Sequence, residues 1–374
     1  MSYDAPLAGL KVVDLSQGIA GPYCAMLLAQ HGAEVIKVES IGEGDWARAL
    51  GVRYESHTAF SIIGNMGKRS ISLDLKTEAG KQVLWRLLEG ADIFLEGFRP
   101  GVIKRLGFDY EAVSAREPRI LYVSISGFGQ TGPRAEQPAY APVVHAASGF
   151  DHVQFTYQDG QERPAKTGIF VADVLAAVYA FGAVQTALVG RLRHGNGQFI
   201  DVALMDSMIN LLVFECQEAQ FPSKDRRPLY VPMRARDGFV IVAPVNQRNF
   251  EQLADATGHP EWRTDPRFAT VAARTTHWDA LMNAVEGWTS ARPARECEDR
   301  LMKAGVPCSR YLTMAEAMSD PQLAARGSLA TVTDGAGDFR VPNPPFKFAD
   351  GSVGVEPSVP ALDADTKEVL TRLK

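Results

Sequence analysis

Lys11-Val-Val-Asp-Leu15, Tyr23-Cys-Ala-Met-Leu-Leu-Ala-Gln-His31 and Ala33-Glu-Val-Ile-Lys-Val-Glu39 are the three segments that decide the fold. The first and third are short runs rich in β-branched residues, which is typical of buried strands. The second follows the turn Ser16–Pro22 and predicts a helix. Two strands joined through a helix lie parallel, so residues 11–39 predict an α/β fold.

The same alternation continues along the first half of the chain. Further strands are predicted at 70–75, 91–96, 120–125 and 199–203, and helices at 78–88, 102–106, 110–116 and 205–216. The loop Gly127-Phe-Gly-Gln-Thr-Gly-Pro133 follows one strand directly. Ligands bind at this edge of an open α/β sheet. Taken alone, the loop is better explained as a tight turn whose glycines adopt positive φ.

Composition divides the chain into three parts. Proline and charged residues crowd together around 221–232, and this change predicts a domain boundary. We assign residues 1–225 to a large α/β domain, 226–327 to a small domain, and 328–374 to a turn-rich tail that returns to the large domain. In the small domain a strand is predicted at 239–243 and helices at 247–257, 274–289 and 293–304.

Charge and cysteine content limit the possible partners. A net charge of −5 and a pI near 5.9 give no support to nucleic-acid binding. The four cysteines are scattered, and the first residues lack the order of a signal peptide, so we expect a reduced cytoplasmic protein with no metal site. Residues 169–189 are apolar but contain Asp173, Gln185 and Thr186, which favours a buried helix of a soluble protein over a membrane span.

Asp173 is the first candidate for chemistry. It lies at the head of an apolar run that continues to Val189, and aspartate is seldom buried unless it is paired or functional. A carboxylate that merely caps its helix is the alternative. Glu39 occupies the position of a ribose-binding acid, but Gly18 and Gly21 do not complete the dinucleotide fingerprint, so NAD binding is disfavoured.

Basic residues near element ends suit phosphate groups. They are Lys68, Arg69, Lys76, Arg99, Lys104 and Arg105. For each of them alone, a solvated surface residue is the favoured interpretation.

Many separated motifs carry a resemblance to a known family. They are Pro6-Leu-x-Gly-Leu-Lys-Val-Val-Asp14, Ala20-Gly-Pro22, Gly32-Ala-Glu-Val-Ile-Lys-Val-Glu39, Asn65-x-x-Lys-Arg-Ser-Ile71, Leu73-Asp-Leu-Lys76, Phe98-x-Pro-Gly101, Gly127–Pro133, Gly195-x-Gly-Gln198, Asp320-Pro-Gln-Leu-x-x-Arg-Gly327 and Pro345-Phe-Lys-Phe348. In this order they resemble the class III CoA-transferases of the CaiB/BaiF type, which include formyl-CoA:oxalate and carnitine CoA-transferases and α-methylacyl-CoA racemases. The resemblance covers nearly the whole chain.

The resemblance implies a fold, an assembly and a set of site residues. The fold is a Rossmann-like large domain with an inserted smaller α+β domain, and the assembly is a homodimer of interlocked rings. The family's nucleophilic aspartate falls on Asp173. Its CoA-contacting positions fall on Ile19, Ala20, Leu73, Lys76, Gly97, Phe98 and Arg105, and a further position near the active centre falls on Tyr140. Coenzyme A enters as acyl-CoA substrate beside a small carboxylic acid, with no permanently bound cofactor.

The implied reaction moves CoA between acids through covalent intermediates on Asp173. A helix N-terminus is expected to keep this carboxylate ionised, and amides of glycine loops are expected to stabilise each oxyanion. The racemase branch uses a His-Asp pair, but Ala139-Tyr-Ala141 stands where the histidine belongs. His145 and His152 are interpreted as structural or surface residues, so transferase is preferred to isomerase. A non-catalytic CoA-binding homologue is the third possibility.

One departure from the family concerns the cover of the site. The oxalate-type enzymes carry a glycine-rich loop before the small domain, whereas residues 221–228 here contain no glycine. Four arginines near this stretch suit a dicarboxylic acid such as succinate, which is a hypothesis about the acceptor: Arg226, Arg227, Arg234 and Arg236.

Overall fold

The computed structural model describes residues 5–54, 57–222, 228–334, 337–351, 353–356 and 358–373. The chain forms two compact units, one made of residues 1–221 and 325–374 and the other of residues 222–324. The glycine-free stretch lies mostly outside the described residues, as do Arg226 and Arg227.

The first unit contains most of the regular structure. Its strands before residue 222 are β1 (Lys11–Asp14), β2 (Glu34–Glu39), β3 (Arg53–Tyr54), β4 (His57–Thr58), β5 (Arg69–Ser72), β6 (Ile93–Glu96), β7 (Leu121–Ser126) and β8 (Gln198–Ala203). Its helices over the same range are α1 (Ala20–Gln30), α2 (Ala59–Asn65), α3 (Glu78–Leu88), α4 (Val102–Leu106), α5 (Tyr110–Arg116), α6 (Ala141–Ala147), α7 (Phe150–Thr156), α8 (Val171–His194), α9 (Leu204–Leu211) and α10 (Val213–Gln220). A short 3₁₀ helix covers Trp46–Ala49.

Six of these strands form one parallel sheet in the order β5-β2-β1-β6-β7-β8. Counted along the chain this order is 3-2-1-4-5-6, the order of dinucleotide-binding folds, and the predicted α/β class is confirmed. Successive side chains of a strand point to opposite faces, so each strand contributes to two cores. Val12 lies in the core beneath α1 and α8, while Val13 lies in the core beneath α3.

The strand order sets where a ligand binds. Connections leave the central strands in opposite directions at β1 and β6, so a crevice opens between the loops that follow these two strands. The turn after β1 and residues Gly97–Gly101 after β6 form its walls. We therefore look for the functional site at the carboxyl edge of the sheet.

The second unit is a small α+β structure. Its strands are β9 (Met233–Ala235), β10 (Gly238–Val242) and β11 (Cys308–Arg310), and its helices are α11 (Gln247–Thr257), α12 (Val271–Thr276), α13 (Trp278–Thr289), α14 (Ala294–Lys303) and α15 (Met314–Met318). The three strands are antiparallel, with β10 in the centre, and a separate hydrophobic core lies between the sheet and the helices.

Residues 325–374 are more regular than a turn-rich tail. After α16 (Pro321–Arg326), β12 (Leu329–Asp334) and β13 (Gly337–Pro342) form an antiparallel hairpin, and α17 (Thr366–Arg372) follows. This segment also covers the outer edge of β5, where Asp365 accepts a bond from the Ser70 amide at 2.8 Å and donates its own amide to the Ser70 carbonyl at 2.9 Å.

Two predicted helices are each divided in two. The helix predicted at 205–216 breaks into α9 and α10 at Leu212, whose φ of −93° and ψ of 38° leave helical geometry. Leu212 is buried at this bend, so the break turns its side chain into the core. The helix predicted at 274–289 breaks in the same way at His277. The predictions for α3, α4, α5 and α11 are confirmed at both ends.

The expectation that α8 is buried on all sides is wrong. Ala176, Ala177 and Ala180 pack into the core, but Val178 is 47% and Leu192 84% exposed. Val184 is buried with these alanines, whereas Tyr179 is 44% exposed, so one side of α8 is uncovered in the part of the chain that the structure describes. By length and composition α8 is also the one described helix able to cross a membrane, a test that core helices of soluble proteins pass as well.

Candidate active site

Asp173 lies at the carboxyl edge of the sheet. It is in the first turn of α8, after Phe170, the residue that precedes the helix. Helix α8 leads through residues 195–197 into the start of β8, so its opposite end lies at the edge where the parallel strands finish. The prediction that Asp173 heads the helix is confirmed.

The Asp173 carboxyl group is partly buried and unpaired. No hydrogen bond or ion pair reaches it from the part of the chain that the structure describes. Burial raises its pKa to about 7. The helix N-terminus favours the charged form by only about 0.3–1 kcal/mol at an exposed site, which is less than the loss of hydration here. The expectation that the helix end would keep this carboxylate fully ionised is therefore wrong.

The turn after β1 is fixed by buried charges. Asp45 accepts a bond from the Gly18 amide at 2.9 Å, and the Lys37 ammonium donates to the Ser16 carbonyl at 3.0 Å. Lys37 and Asp45 also form an ion pair of 2.8 Å with almost no exposure of either side chain. These contacts hold the first half of the turn in place, at Ser16 and at Gly18.

A second buried pair supports the same turn from below. The Lys68 ammonium bonds Asp14 at 2.7 Å and the carbonyl of Pro22 at 2.9 Å. Burial by itself raises the pKa of Asp14, but Lys68 and Lys37 hold it below its usual range. Lys68 was grouped with candidate phosphate ligands, and this interpretation is wrong because its side chain is buried and committed to the fold.

Glu39 is committed to the fold as well. Arg48 donates two bonds of 2.7 Å to its carboxylate, and Ser70 donates a third at 2.7 Å. The Asp45 amide donates a fourth at 3.0 Å. A carboxylate with four donors and 3% exposure cannot also hold a ribose. This geometry agrees with the sequence-based argument against a dinucleotide.

The predicted CoA-contacting residues fall into two groups. Ile19 and Ala20 are buried where α1 begins, so only their backbone is available to a ligand. Gly97 lies against the turn after β1, where an added Cβ would be 3.5 Å from that of Ser16 and 3.9 Å from the Gln17 nitrogen. These are ordinary van der Waals distances, so they place Gly97 directly beside the turn after β1.

The other group forms one side of the crevice. Leu73 is buried in the hydrophobic core on the α3 side of the sheet, and Phe98 is partly buried and packs against the same core. Lys76 and Arg105 are exposed, and neither forms an ion pair with another described residue. Two unpaired cations next to apolar side chains suit a ligand that has both phosphates and a ring.

Aromatic residues that the sequence analysis missed line the site. Trp46 packs edge-on against Tyr140 with ring centroids 5.8 Å apart, and it fills the space that a side chain at Gly18 would need. Phe60 packs against Phe170, three residues before Asp173, at 5.4 Å. Trp46 could have been found from the sequence, because a large aromatic residue in the glycine-containing turn after β2 indicates a contact near the ligand-binding edge. The contact of Phe60 with Phe170 had no signal in the sequence because it depends on tertiary packing.

The glycine-rich loop after β7 is held by hydrogen bonds. The Gly129 amide donates to Ser126 at 3.0 Å and the Gln130 amide donates to Asp201 at 2.9 Å. These two amides are therefore occupied, and an oxyanion would have to be stabilised by other amides. Glu96 and Ser124 lie beneath the loop, and burial raises the pKa of Glu96 to about 7.

Metal ligands do not gather at this site. Among the residues that the structure describes, no group of three or more His, Cys, Asp or Glu side chains could hold a metal ion.

Comparison with known proteins identifies the family. The family model described as "CoA-transferase family III" matches residues 7–366. The acetyl-CoA:oxalate CoA-transferase of Acetobacter aceti is 36% identical over 369 residues, which covers 96% of this chain and 93% of that protein. The succinyl-CoA–D-citramalate CoA-transferase of Chloroflexus aurantiacus is 34% identical, covering 98% and 94%.

A solved structure supports the same assignment. The crystal structure of a CAIB/BAIF family protein from Brucella suis superposes with a TM-score of 0.87 at 33% identity, and the match covers 100% of both chains. The family match, the relatives and the shared fold point to the same family. This chain therefore belongs to CoA-transferase family III.

Proposed function

We propose that this protein moves CoA from an acyl-CoA thioester to a carboxylic acid, with Asp173 as the nucleophile. The observation that carries the proposal is the Asp173 carboxyl group itself, partly buried at the ligand-binding edge of the sheet without a partner in the described chain. Support also comes from relatives that are named CoA-transferases for oxalate and citramalate. The turn after β1, Leu73, Phe98, Lys76 and Arg105 are proposed to hold the CoA.

The reaction requires no external oxidant or base. The Asp173 oxygen attacks the thioester carbonyl and expels CoA thiolate, which leaves a mixed anhydride. The thiolate then attacks the aspartyl carbonyl, releases the first carboxylate and forms an aspartyl-CoA thioester. The acceptor carboxylate attacks this thioester and regenerates the thiolate, and attack of the thiolate on the acyl carbonyl of the new anhydride frees Asp173. In every step one anion attacks and another leaves, so the negative charge alternates between a carboxylate and the CoA thiolate.

A trapping experiment tests this proposal. Enzyme mixed with acyl-CoA in the absence of an acceptor acid is quenched with hydroxylamine, which converts an anhydride or thioester on Asp173 into a hydroxamate. We expect peptide mass spectrometry to find the hydroxamate on the peptide that contains Asp173. Tight CoA binding without any hydroxamate would instead indicate a non-catalytic CoA-binding protein.

The isomerase alternative has little support in the site. His145 contacts the first turn of α8, where its Nε2 accepts a hydrogen bond from the Ala172 amide. Its Nδ1 is buried. Neither ring nitrogen is therefore available as the second base that α-proton exchange requires. Deuterium uptake at the α-carbon of an acyl-CoA without an acceptor acid would restore this alternative.

The raised pKa of Asp173 predicts a strong pH dependence. Only the ionised carboxylate attacks the thioester, so kcat/KM for acyl-CoA is expected to rise with pH and level off above about pH 7. Well below that value the slope is expected to be about tenfold per pH unit. Because a phosphate ionises near pH 6, a dephospho-CoA thioester serves as the control substrate. A rate that stays flat between about pH 5 and 8 with both thioesters would contradict this environment for Asp173.

We also propose that a second copy of the chain covers the apolar side of α8. Val174, Val178 and Tyr179 are exposed on one side of this helix, and a continuous apolar surface of this kind usually marks an interface. In the interlocked homodimer that the family resemblance implies, the apolar surface of a second copy would cover this side of α8. The small carboxylic acid and the cytoplasmic location likewise remain proposals.

A charged substitution on α8 tests the dimer. Light scattering is expected to give twice the chain mass of 40.7 kDa for the unmodified protein and one chain mass for Val178→Glu at low micromolar concentration. The matched control is Gln82→Glu on α3, an exposed position on the other face of the sheet, which is expected to leave the mass unchanged. An unmodified protein that is monomeric at all concentrations would remove the proposal.

A further inference from the structure

Helix α6 links the entrance of the site to the first turn of α8. It begins after Tyr140, whose ring lies against Trp46, and carries His145 in its last turn. The His145 residue is 1% exposed, and its Nε2 is 3.1 Å from the backbone nitrogen of Ala172. The residue that makes this contact is therefore on a different helix from Asp173 but reaches the amide directly next to it.

The contact fixes the protonation of the ring. A backbone amide can only donate, so Nε2 accepts and carries no proton. The proton of the neutral ring is then on Nδ1, which is buried without a partner in the described part of the chain. Burial lowers the pKa of His145, while Asp151 acts in the opposite direction. A charged ring would lose the bond and would place a cation at the positive end of α8.

His145 also completes the hydrogen bonding at the start of α8. The Val171 amide donates to the Ile169 carbonyl at 2.9 Å, and the Val174 amide donates to the Phe170 carbonyl at 3.1 Å. The Ala172 amide has no carbonyl within the helix to bond, as is usual in a first turn. A Ser, Thr, Asp or Asn before the helix commonly satisfies such an amide, but Phe170 cannot. His145 supplies the missing acceptor.

We propose that His145 is a positioning residue that holds the first turn of α8 in the geometry that Asp173 needs for attack. This inference rests on the proposed role of Asp173. The bond from His145 to Ala172 fixes the backbone one residue before the nucleophile, and no substrate contact is required. A displacement of about 1 Å in a reacting group is enough to lower a rate about a hundredfold.

Replacing His145 by glutamine or by asparagine distinguishes a positioning role from a general structural role. The terminal oxygen of glutamine lies about as far from Cα as Nε2 of histidine, whereas the oxygen of asparagine reaches only as far as Nδ1. We expect His145→Gln to keep kcat within about threefold of the unmodified enzyme. His145→Asn and His145→Leu are expected to lower kcat and the rate of hydroxamate formation on Asp173 about 10- to 100-fold, with KM for acyl-CoA nearly unchanged.

The outcomes distinguish this inference from the proposed function. Equal activity of the Gln and Asn variants, or a loss confined to KM, overturns the positioning role while transfer by Asp173 stands. An unmodified enzyme that forms no hydroxamate overturns the proposed function and this role with it. Nitrogen NMR of the ¹⁵N-histidine-labelled native enzyme gives a test that requires no variant to fold. A proton on Nδ1 of His145 supports the inference, and a proton on Nε2 overturns it.

Discussion

Asp173→Asn is expected to lower kcat for CoA exchange by about four orders of magnitude or more, because an amide cannot form the anhydride. Hydroxamate formation on this peptide is expected to disappear as well. Asparagine has nearly the same shape as aspartate, so the site should keep its packing and its affinity for CoA. The measurements are steady-state exchange between acyl-CoA and a panel of carboxylic acids, and CoA binding by calorimetry.

The stability of Asp173→Asn provides an internal control. A carboxyl group whose pKa rises from 3.8 to about 7 on folding binds more protons in the folded chain across that interval. Stability contributed by this group is therefore lost as the pH rises from about 4 to 7. The Asn variant is expected to melt at a higher temperature than the unmodified protein at about pH 8, so inactivity there cannot be attributed to unfolding.

Asp151 provides the matched control for the substitution at Asp173. It lies in the first turn of α7, and its carboxylate accepts a hydrogen bond from Thr167 at 2.9 Å. Asp151→Asn is expected to change kcat only a few-fold. Exchange by Asp173→Asn within about tenfold of the unmodified enzyme would exclude covalent catalysis by Asp173, and Asp173→Ala guards against slow conversion of the new amide to the acid.

Lys68→Met is expected to lower the free energy of unfolding by about 3–5 kcal/mol, which is the usual effect of leaving one member of a buried ion pair alone. Lys68 and Asp14 have no exposed side-chain surface, and their nitrogen and oxygen atoms are 2.7 Å apart. Without Lys68 the Asp14 carboxylate remains buried and keeps only the more distant Lys37 as compensation. Urea denaturation followed by circular dichroism measures the change.

The double variant Lys68→Met/Asp14→Asn separates an unpaired charge from lost packing. The asparagine side chain would keep an oxygen for the Ser16 amide, which now donates to Asp14 at 3.0 Å. We expect the double variant to recover at least half of the stability lost in Lys68→Met, since the uncompensated charge is gone. Equal destabilisation of the single and double variants would show that the loss comes from packing around Lys68.

The sequence predicts those parts of this protein that depend on local patterns. The βαβ segment at 11–39 and the helix Glu78–Leu88 follow from periodicity and capping residues, and the structure confirms both. The hairpin formed by β12 and β13 was missed, because the prolines from Pro342 onward predicted turns throughout this segment. Val332 and Val341 pack with residues of α1 and α2, which are distant in the sequence.

The site shows the same division between local and tertiary information. The position of Asp173 at the start of α8 is visible in the sequence, since the apolar run begins there. The upward shift of its pKa cannot be predicted from the sequence, because it depends on how much water the surrounding loops and helices remove from the carboxyl group. His145 was interpreted as a structural or surface residue, and its contact with Ala172 joins residues 27 positions apart that no periodicity connects.

The contact between Ser70 and Asp365 has a consequence for folding during synthesis on the ribosome. Strand β5 is the edge of the parallel sheet, and the backbone of Ser70 is paired by a residue 295 positions later. Ribosomes add about 5–20 residues per second, so this edge stays uncovered for many seconds after β5 emerges. The nascent chain therefore passes through a stage with an open strand that other chains can join. Chaperone binding to nascent chains that end between residues 72 and 365 would protect the protein at this stage.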